Sequence, residues 1–243
     1  GLGTWKISDD QAESVVGEAL QRGYRLIDTA MLYENERGVG RAIAAAQQPR
    51  EQLFVTTKLW NEDHGFESAL AAFEASRQRL GLDYIDLYLI HWPVGDIESI
   101  KQTWKALEQL YAEQKVRAIG VSNFPVKLLE PLLEEAEIVP VVNQIELHPG
   151  LNRDDIRQFC EEHGIQVQSY SPLARAEVLS DPELKQIAET HSKSAAQVVL
   201  RWHLQHELSA IPKTSNPERM SENLDVFDFE LSGNEMERID KLS

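Results

Sequence analysis

The sequence predicts an α/β fold, a (β/α)8 barrel, and three observations predict it. Eight short apolar runs alternate with amphipathic runs along the 243 residues. Several of these apolar runs are continuous and β-branched, as strands of a parallel sheet covered by helices are. No stretch rich in Gly, Pro or Ser interrupts the rhythm, so residues 1–243 are read as one domain. A doubly wound sheet is the alternative, but its glycine-rich dinucleotide loop should follow an early strand. GVGRAI follows a loop instead and opens a helix, so its glycines are read as helix packing.

Taken in order, strands are expected at 1–4, 25–28, 53–58, 84–91, 117–122, 139–146, 165–169 and 208–212. The helix at 9–22 carries Ala12, Val15, Val16, Ala19 and Leu20 as one apolar stripe. The helix at 66–80 repeats the pattern with Leu70, Phe73 and Leu80, and 100–112, 126–134, 154–163 and 194–205 follow suit. Ser8 and Ser194 stand where N-caps belong, and Gly23, Gly81 and Gly164 close helices just before a strand. Trp104 and Trp202 fall inside helices and are read as packing.

Composition narrows the function classes. Hydrophobic residues make up 42% of the chain and charged residues 26%, a globular balance. Twenty-four basic against 40 acidic side chains give a net charge of -16, which disfavours nucleic acid as a partner. One cysteine, Cys160, permits no intrachain disulfide and sits in a helical pattern as a small, semi-buried side chain. No apolar run is long enough for a membrane span and no signal peptide is visible, so a cytoplasmic monomer is expected. The histidines show no metal-ligand spacing, and no metal is expected.

In a barrel the functional face lies at the C-terminal ends of the strands. Those ends carry Asp28, Lys58, His91, Ser122 with Asn123, Gln144 with Glu146, Tyr170 with Ser171, and Lys213, with tryptophans between them. Asp28 and Lys58 end successive strands and can meet at the rim. Such a pair is either structural or a device that tunes Tyr33, five residues after Asp28. In the second reading the ammonium stabilises the phenolate and lowers the phenol's pKa, and Tyr33 becomes a general acid. A lone histidine is often structural; beside this set, His91 would donate a hydrogen bond to a carbonyl oxygen as a neutral imidazole. A phenol that protonates a carbonyl needs a hydride on the carbon, which no side chain supplies and a nicotinamide does. Amide and hydroxyl groups at Ser122, Asn123 and Gln144 could bracket its carboxamide, and Tyr170 could stack on its ring. In KTSNPERMSEN, Lys213 and Arg219 flank the start of a short helix with Asn216 as cap and Pro217 in its first turn, which suits an anion.

Eight segments together resemble the aldo-keto reductases: GLGTW, DTAMLYENERGVGRAI, TTKLW, LGLDYIDLYLIHWP, KVRAIGVSNF, NQIELHP, SYSPLA and IPKTSNPERMSEN. They stand in family order and cover nearly the whole chain. Within the family the resemblance runs to the bacterial 2,5-diketo-D-gluconate reductases and related small-aldehyde reductases. It implies NADPH-dependent reduction of an aldehyde, ketone, dicarbonyl or keto-sugar acid to the alcohol. It implies a catalytic tetrad of Asp28, Tyr33, Lys58 and His91, with Tyr33 as proton donor. Ser122, Asn123 and Gln144 would hold the nicotinamide carboxamide, with Tyr170 against the ring and Ser171 and Leu173 along the pyrophosphate. Lys213 and Arg219 would grip the 2'-phosphate, assisted by Thr214 or Ser215, with Glu222 and Asn223 at the adenine end. Trp5, Leu32, Trp60 and Trp92 would line a pocket that the short segment after Trp92 leaves open. The family's N-terminal hairpin and C-terminal tail are not seen in this sequence. Two rival functions keep the same barrel: a Schiff-base aldolase using Lys58 as nucleophile, and an NADPH-binding regulatory module with weak catalysis.

Overall fold

In the computed structural model, which describes residues 1–242, the apolar runs form a single parallel sheet in chain order. Among the described residues it has eight strands: β1 (Leu2–Gly3), β2 (Leu26–Asp28), β3 (Phe54–Leu59), β4 (Ile85–Ile90), β5 (Val116–Ser122), β6 (Val142–Glu146), β7 (Gln166–Tyr170) and β8 (Ser209–Ala210). The first and last strands meet: Gly3 N donates to Pro212 O at 3.1 Å, which closes the ring. Helices α1 (Asp9–Gln21), α2 (Glu36–Ala44), α3 (Phe66–Leu80), α4 (Ile97–Ala112), α5 (Val126–Leu133), α6 (Asp154–Glu162), α7 (Pro182–His191) and α8 (Ala195–Gln205) follow in sequence, with α9 (Pro217–Leu224) and α10 (Gly233–Asp240) after β8.

Side chains alternate across a strand, so one set faces the helices and the other fills the lumen. Val55, Leu59, Tyr88, Ile90, Ile119 and Val121 join the helix-facing core. The opposite set begins apolar, with Leu87, Leu89 and Val142 packed on Phe54 and Ala118. Further along the same faces the character changes: Asp28, Lys58, His91, Ser122, Gln144 and Gln168 are all buried and polar. The barrel is therefore a packed apolar plug that becomes a polar floor near the C-terminal ends of its strands.

The glycines of GVGRAI act as packing residues. A Cβ on Gly38 would stand 2.2 Å from Asp9 O, and one on Gly40 2.2 Å from Leu80 O, so α2 lies against its neighbours at distances only glycine allows. Ser194 completes a capping box with Gln197, whereas Ser8 occupies the N-cap of α1 without a side-chain bond. Two expected starts move by three residues, and one helix was not expected. The strand at 139–146 starts at Val142, because Pro140 offers no amide hydrogen and Val139 and Val141 lie exposed. The helix expected from 100 starts at Ile97, where Asp96 Oδ1 accepts Ser99 N at 2.9 Å. Helix α7 was unassigned by periodicity; Asp181 caps it and Pro182 opens it. Trp104 and Trp202 are buried in the core as expected, and burial pushes the Cys160 thiol up to about 11, an inert form.

Candidate active site

The register of the sheet sets Asp28 beside Thr56 on β3, two residues before Lys58. Lys58 Nζ is fully buried and uses all three of its hydrogens: Asp28 Oδ1 at 2.5 Å, Thr29 O at 2.9 Å and Tyr33 Oη at 3.4 Å. Tyr33 closes the 3-10 turn Met31–Tyr33. The buried Asn35 holds this loop in place, donating to Thr4 O at 3.0 Å and Ile7 O at 2.9 Å while accepting Thr29 Oγ1 at 2.6 Å. His91 follows β4 directly, with its N donating to Leu59 O at 3.1 Å. Its ring meets Tyr33 edge-on at 5.7 Å and Trp60 at 5.3 Å between centroids. Among the described residues His91 Nδ1 has no hydrogen-bond partner. The four expected catalytic side chains thus converge on one wall of the barrel mouth.

The electrostatics of this wall correct one expectation. Burial is the largest influence on Tyr33 and raises its pKa; Lys58 opposes this and Asp28 adds to it, so the net shift is upward. The expected lowering by Lys58 is present but outweighed, because the phenol is buried and the negative charge of Asp28 lies close by. Burial also works hardest against the charge of Lys58, yet Asp28 and Tyr33 together outweigh it and the net shift is upward. His91 is pushed down to about 3, first by burial and then by Lys58, so it is a neutral imidazole at neutral pH.

Next to this wall, Ser122 Oγ donates to Gln144 O at 2.8 Å. Asn123, in left-handed backbone with φ 63, donates to His91 O at 3.0 Å and accepts Tyr170 Oη at 2.8 Å. Gln144 turns inward: its Nε2 donates to Asp28 Oδ2 and to Gln168 Oε1, each at 2.7 Å. With both amide hydrogens committed there, its carbonyl oxygen is what it can offer a ligand.

A cleft of about 460 Å³ runs outward from Trp5. Ser171, Leu173, Lys213, Thr214, Arg219, Glu222 and Asn223 line it, which joins seven residues that the sequence spreads over three segments. Ser215, though exposed beside them, is outside the lining. Asn216 caps α9 by accepting Glu218 N at 2.8 Å and Arg219 N at 3.2 Å, with Pro217 at the first position. Glu222 accepts Ser194 Oγ, so its carboxylate is partly tied to the start of α8. Trp5 lies in the wall of this cleft, Leu32 and Trp92 are 42% and 41% exposed, and Trp60 meets His91 edge-on.

Two cations at the cleft were missed. Lys6 Nζ lies 4.4 Å and the Arg175 guanidinium 5.5 Å from the centroid of the Trp5 ring, and both residues line the cleft. Lys6 adjoins Trp5 in the sequence, a signal that was available; Arg175 lies in a short run, Ala174–Ala176, with left-handed backbone throughout, which no periodicity announces. Gln168 was missed as well, although QVQSY places a polar residue at every second position of a strand, all on the lumen face.

A model of the aldo/keto reductase family matches residues 1–243. The chain is 53% identical to glyoxal reductase of Bacillus subtilis over 244 residues, covering 100% of this chain and 88% of that protein. The crystal structure of an aldo/keto reductase from Brucella melitensis superposes with a TM-score of 0.97 at 50% identity, covering 100% of this chain and 94% of that one. A Gox0644 variant in complex with NADPH superposes with a TM-score of 0.94 at 47% identity, covering 99% of this chain and 87% of that one.

Proposed function

From the premise that the chain belongs to the aldo/keto reductase family, we propose that it reduces small aldehydes and dicarbonyls to alcohols with NADPH. One observation carries this reading. A buried ammonium, its charge held by Asp28, touches the phenol of Tyr33 at 3.4 Å beside a neutral His91. When bound, the nicotinamide supplies the hydride.

The chain's own groups handle the oxygen of the carbonyl. Its raised pKa keeps Tyr33 protonated at neutral pH, so the proton is present when needed. As charge develops on the substrate oxygen, Tyr33 gives up that proton, and Lys58 stabilises the phenolate that remains. Asp28 keeps Lys58 charged throughout. His91 hydrogen-bonds the same oxygen and fixes its position between imidazole and phenol. The geometry disfavours Schiff-base chemistry at Lys58, because an amine nucleophile must be neutral and this one is held charged by three acceptors.

The cleft fits a phosphorylated cofactor. In a chain with net charge -16, Lys6, Arg175, Lys213 and Arg219 gather in one groove. Lys213, in the loop after β8, and Arg219, in the first turn of α9, are both exposed, so a phosphate would find two cations beside a helix start. We assign Ser122, Asn123 and the Gln144 carbonyl to the nicotinamide carboxamide, Tyr170 to its ring and Ser171 with Leu173 to the pyrophosphate. Thr214 and Ser215 assist at the 2'-phosphate, with Glu222 and Asn223 at the adenine end. The open rim at Leu32 and Trp92 and the likeness to a glyoxal reductase favour small dicarbonyls over the keto-sugar acids that the sequence also allowed. Loss of NADPH absorbance with glyoxal, methylglyoxal, simple aldehydes and a keto-sugar acid tests this. Turnover should be highest with the dicarbonyls, and no oxidation of NADPH by any of them would refute the reading.

A further inference from the structure

Asp28 spends one oxygen on Lys58; the other leads into the barrel. Asp28 Oδ2 accepts Gln144 Nε2 at 2.7 Å, the same Nε2 donates to Gln168 Oε1 at 2.7 Å, and Gln168 Nε2 donates to Ser209 Oγ at 3.1 Å. Gln144, Gln168 and Ser209 are direct register partners on β6, β7 and β8, while Asp28 comes from β2 across the lumen. Gln144 is 1% exposed and Gln168 3%. An amide nitrogen has two hydrogens, and each of those on Gln144 has one destination. Its plane is therefore set from both sides, by a carboxylate and by the carbonyl of Gln168. Without that carbonyl the amide could rotate, and the buried Oδ2 would lose a charge-assisted donor that nothing in the apolar layer of Leu87, Leu89 and Val142 could replace.

We propose that Gln168 is a positioning residue for proton transfer: through Gln144 it fixes the plane of the Asp28 carboxylate, and through that plane the direction in which Lys58 faces Tyr33. The Lys58–Tyr33 contact, at 3.4 Å, is already at the long end of a hydrogen bond, so a small rotation of the carboxylate breaks it. The closer bond to Asp28, at 2.5 Å, means that Lys58 follows the carboxylate rather than the phenol. Gln168 touches neither Lys58 nor Tyr33 and acts only along this chain. The inference rests on the reductase reading of the same site.

Gln168→Met keeps the length of the side chain and removes both its acceptor and its donor. In the full chain we expect kcat for glyoxal to fall about tenfold, close to one charge-assisted hydrogen bond. KM for NADPH should stay within twofold, and the primary isotope effect from NADPH deuterated at the transferred position should rise as chemistry becomes slower. Gln166→Met, two residues earlier on the same strand and face, should leave kcat unchanged. A second readout needs no turnover. With ¹³C-ζ tyrosine labelling and the Tyr33 signal assigned by Tyr33→Phe, Gln168→Met should shift that resonance and Gln166→Met should not. If Gln168→Met does not fold, Ser209→Ala removes the anchor of the Gln168 amide and should lower kcat two- to threefold with a smaller shift of the same signal. Wild-type kcat together with an unmoved Tyr33 resonance in the folded variants overturns the proposal. A wild-type chain that reduced no carbonyl would refute the reductase reading instead, and the resonance would still decide whether Gln168 sets the Lys58–Tyr33 contact.

Discussion

The two ends of the barrel mouth are built on opposite principles. At the wall of β2, β3 and β4, every hydrogen of a buried ammonium is assigned before any ligand arrives. In the cleft beside β8, Lys213 stands exposed in the loop before α9 and Arg219 in the helix's capped first turn. A buried charge pair is tolerable only when fully partnered, and full partnering makes it rigid. An exposed cation costs little to hold and gains its partner on binding. The difference separates chemistry from recognition: damage at the wall should appear in kcat, and damage in the cleft should appear in affinity.

The most severe break of that contrast is Tyr33→Phe. It removes the acid while leaving the ring that packs on His91. Loss of a positioned general acid should lower kcat roughly a thousandfold. NADPH affinity, read by quenching of tryptophan fluorescence, should stay within twofold. Equal loss in both would mean that wall and cleft are not separable.

How much of this was legible in the sequence follows the same division. The strands that carry the wall were readable because buried parallel strands are continuous apolar runs, and their terminal residues break the pattern: Asp28, Lys58 and His91 are conspicuous for interrupting it. The edge elements were less so. β1 and β8 are two residues each, too short for any periodicity, and their ends were placed by their neighbours in the alternation. Direction of pKa shift at Tyr33 was not readable, since the sequence shows the presence of Lys58 but not the depth of burial that outweighs it. Nor was the inward turn of Gln144, because only the closed ring brings Asp28 across the lumen to meet it. Arg175 was invisible for a third reason: a run of left-handed residues without glycine follows from tertiary packing and leaves no compositional trace.

On the recognition side, Arg219→Ala sharpens the comparison. If the guanidinium meets the 2'-phosphate, its loss should raise the Kd for NADPH about 100-fold, the scale of a bidentate charge-assisted contact. NADH lacks that phosphate and its Kd should change less than threefold. Measuring kcat at saturating NADPH completes the test: it should stay near wild type, because the wall is untouched. An equal weakening of both cofactors would place Arg219 elsewhere than at the phosphate.

The smallest expected effect concerns how far the wall's rigidity extends. Behind β7, His203 is fully buried; its Nδ1 meets Val199 O at 2.8 Å, and its Nε2 meets Leu147 O at 3.2 Å and Ser169 Oγ at 3.1 Å. Burial, partly offset by those backbone contacts, pushes it down to about 4 from the ordinary 6.5. The sign follows from proton uptake. Above the unfolded value neither state binds a proton and this group leaves stability at its full level. Below it the unfolded chain takes up a proton that the folded chain refuses, so stability falls as pH drops from about 6.5 toward about 4. His91, pushed down to about 3, contributes in the same direction over a wider range. Each such group should remove roughly 1 kcal/mol of stability by pH 5.5. Urea midpoints of the wild type and His203→Gln between pH 7.5 and pH 5.5 check this. The substitution lowers stability by its lost contacts at every pH, so the slope is the informative quantity: the gap between the two proteins should narrow on acidification. A constant gap would mean that His203 opens to solvent below pH 6.5 and that rigidity stops at the floor of Gln144 and Gln168.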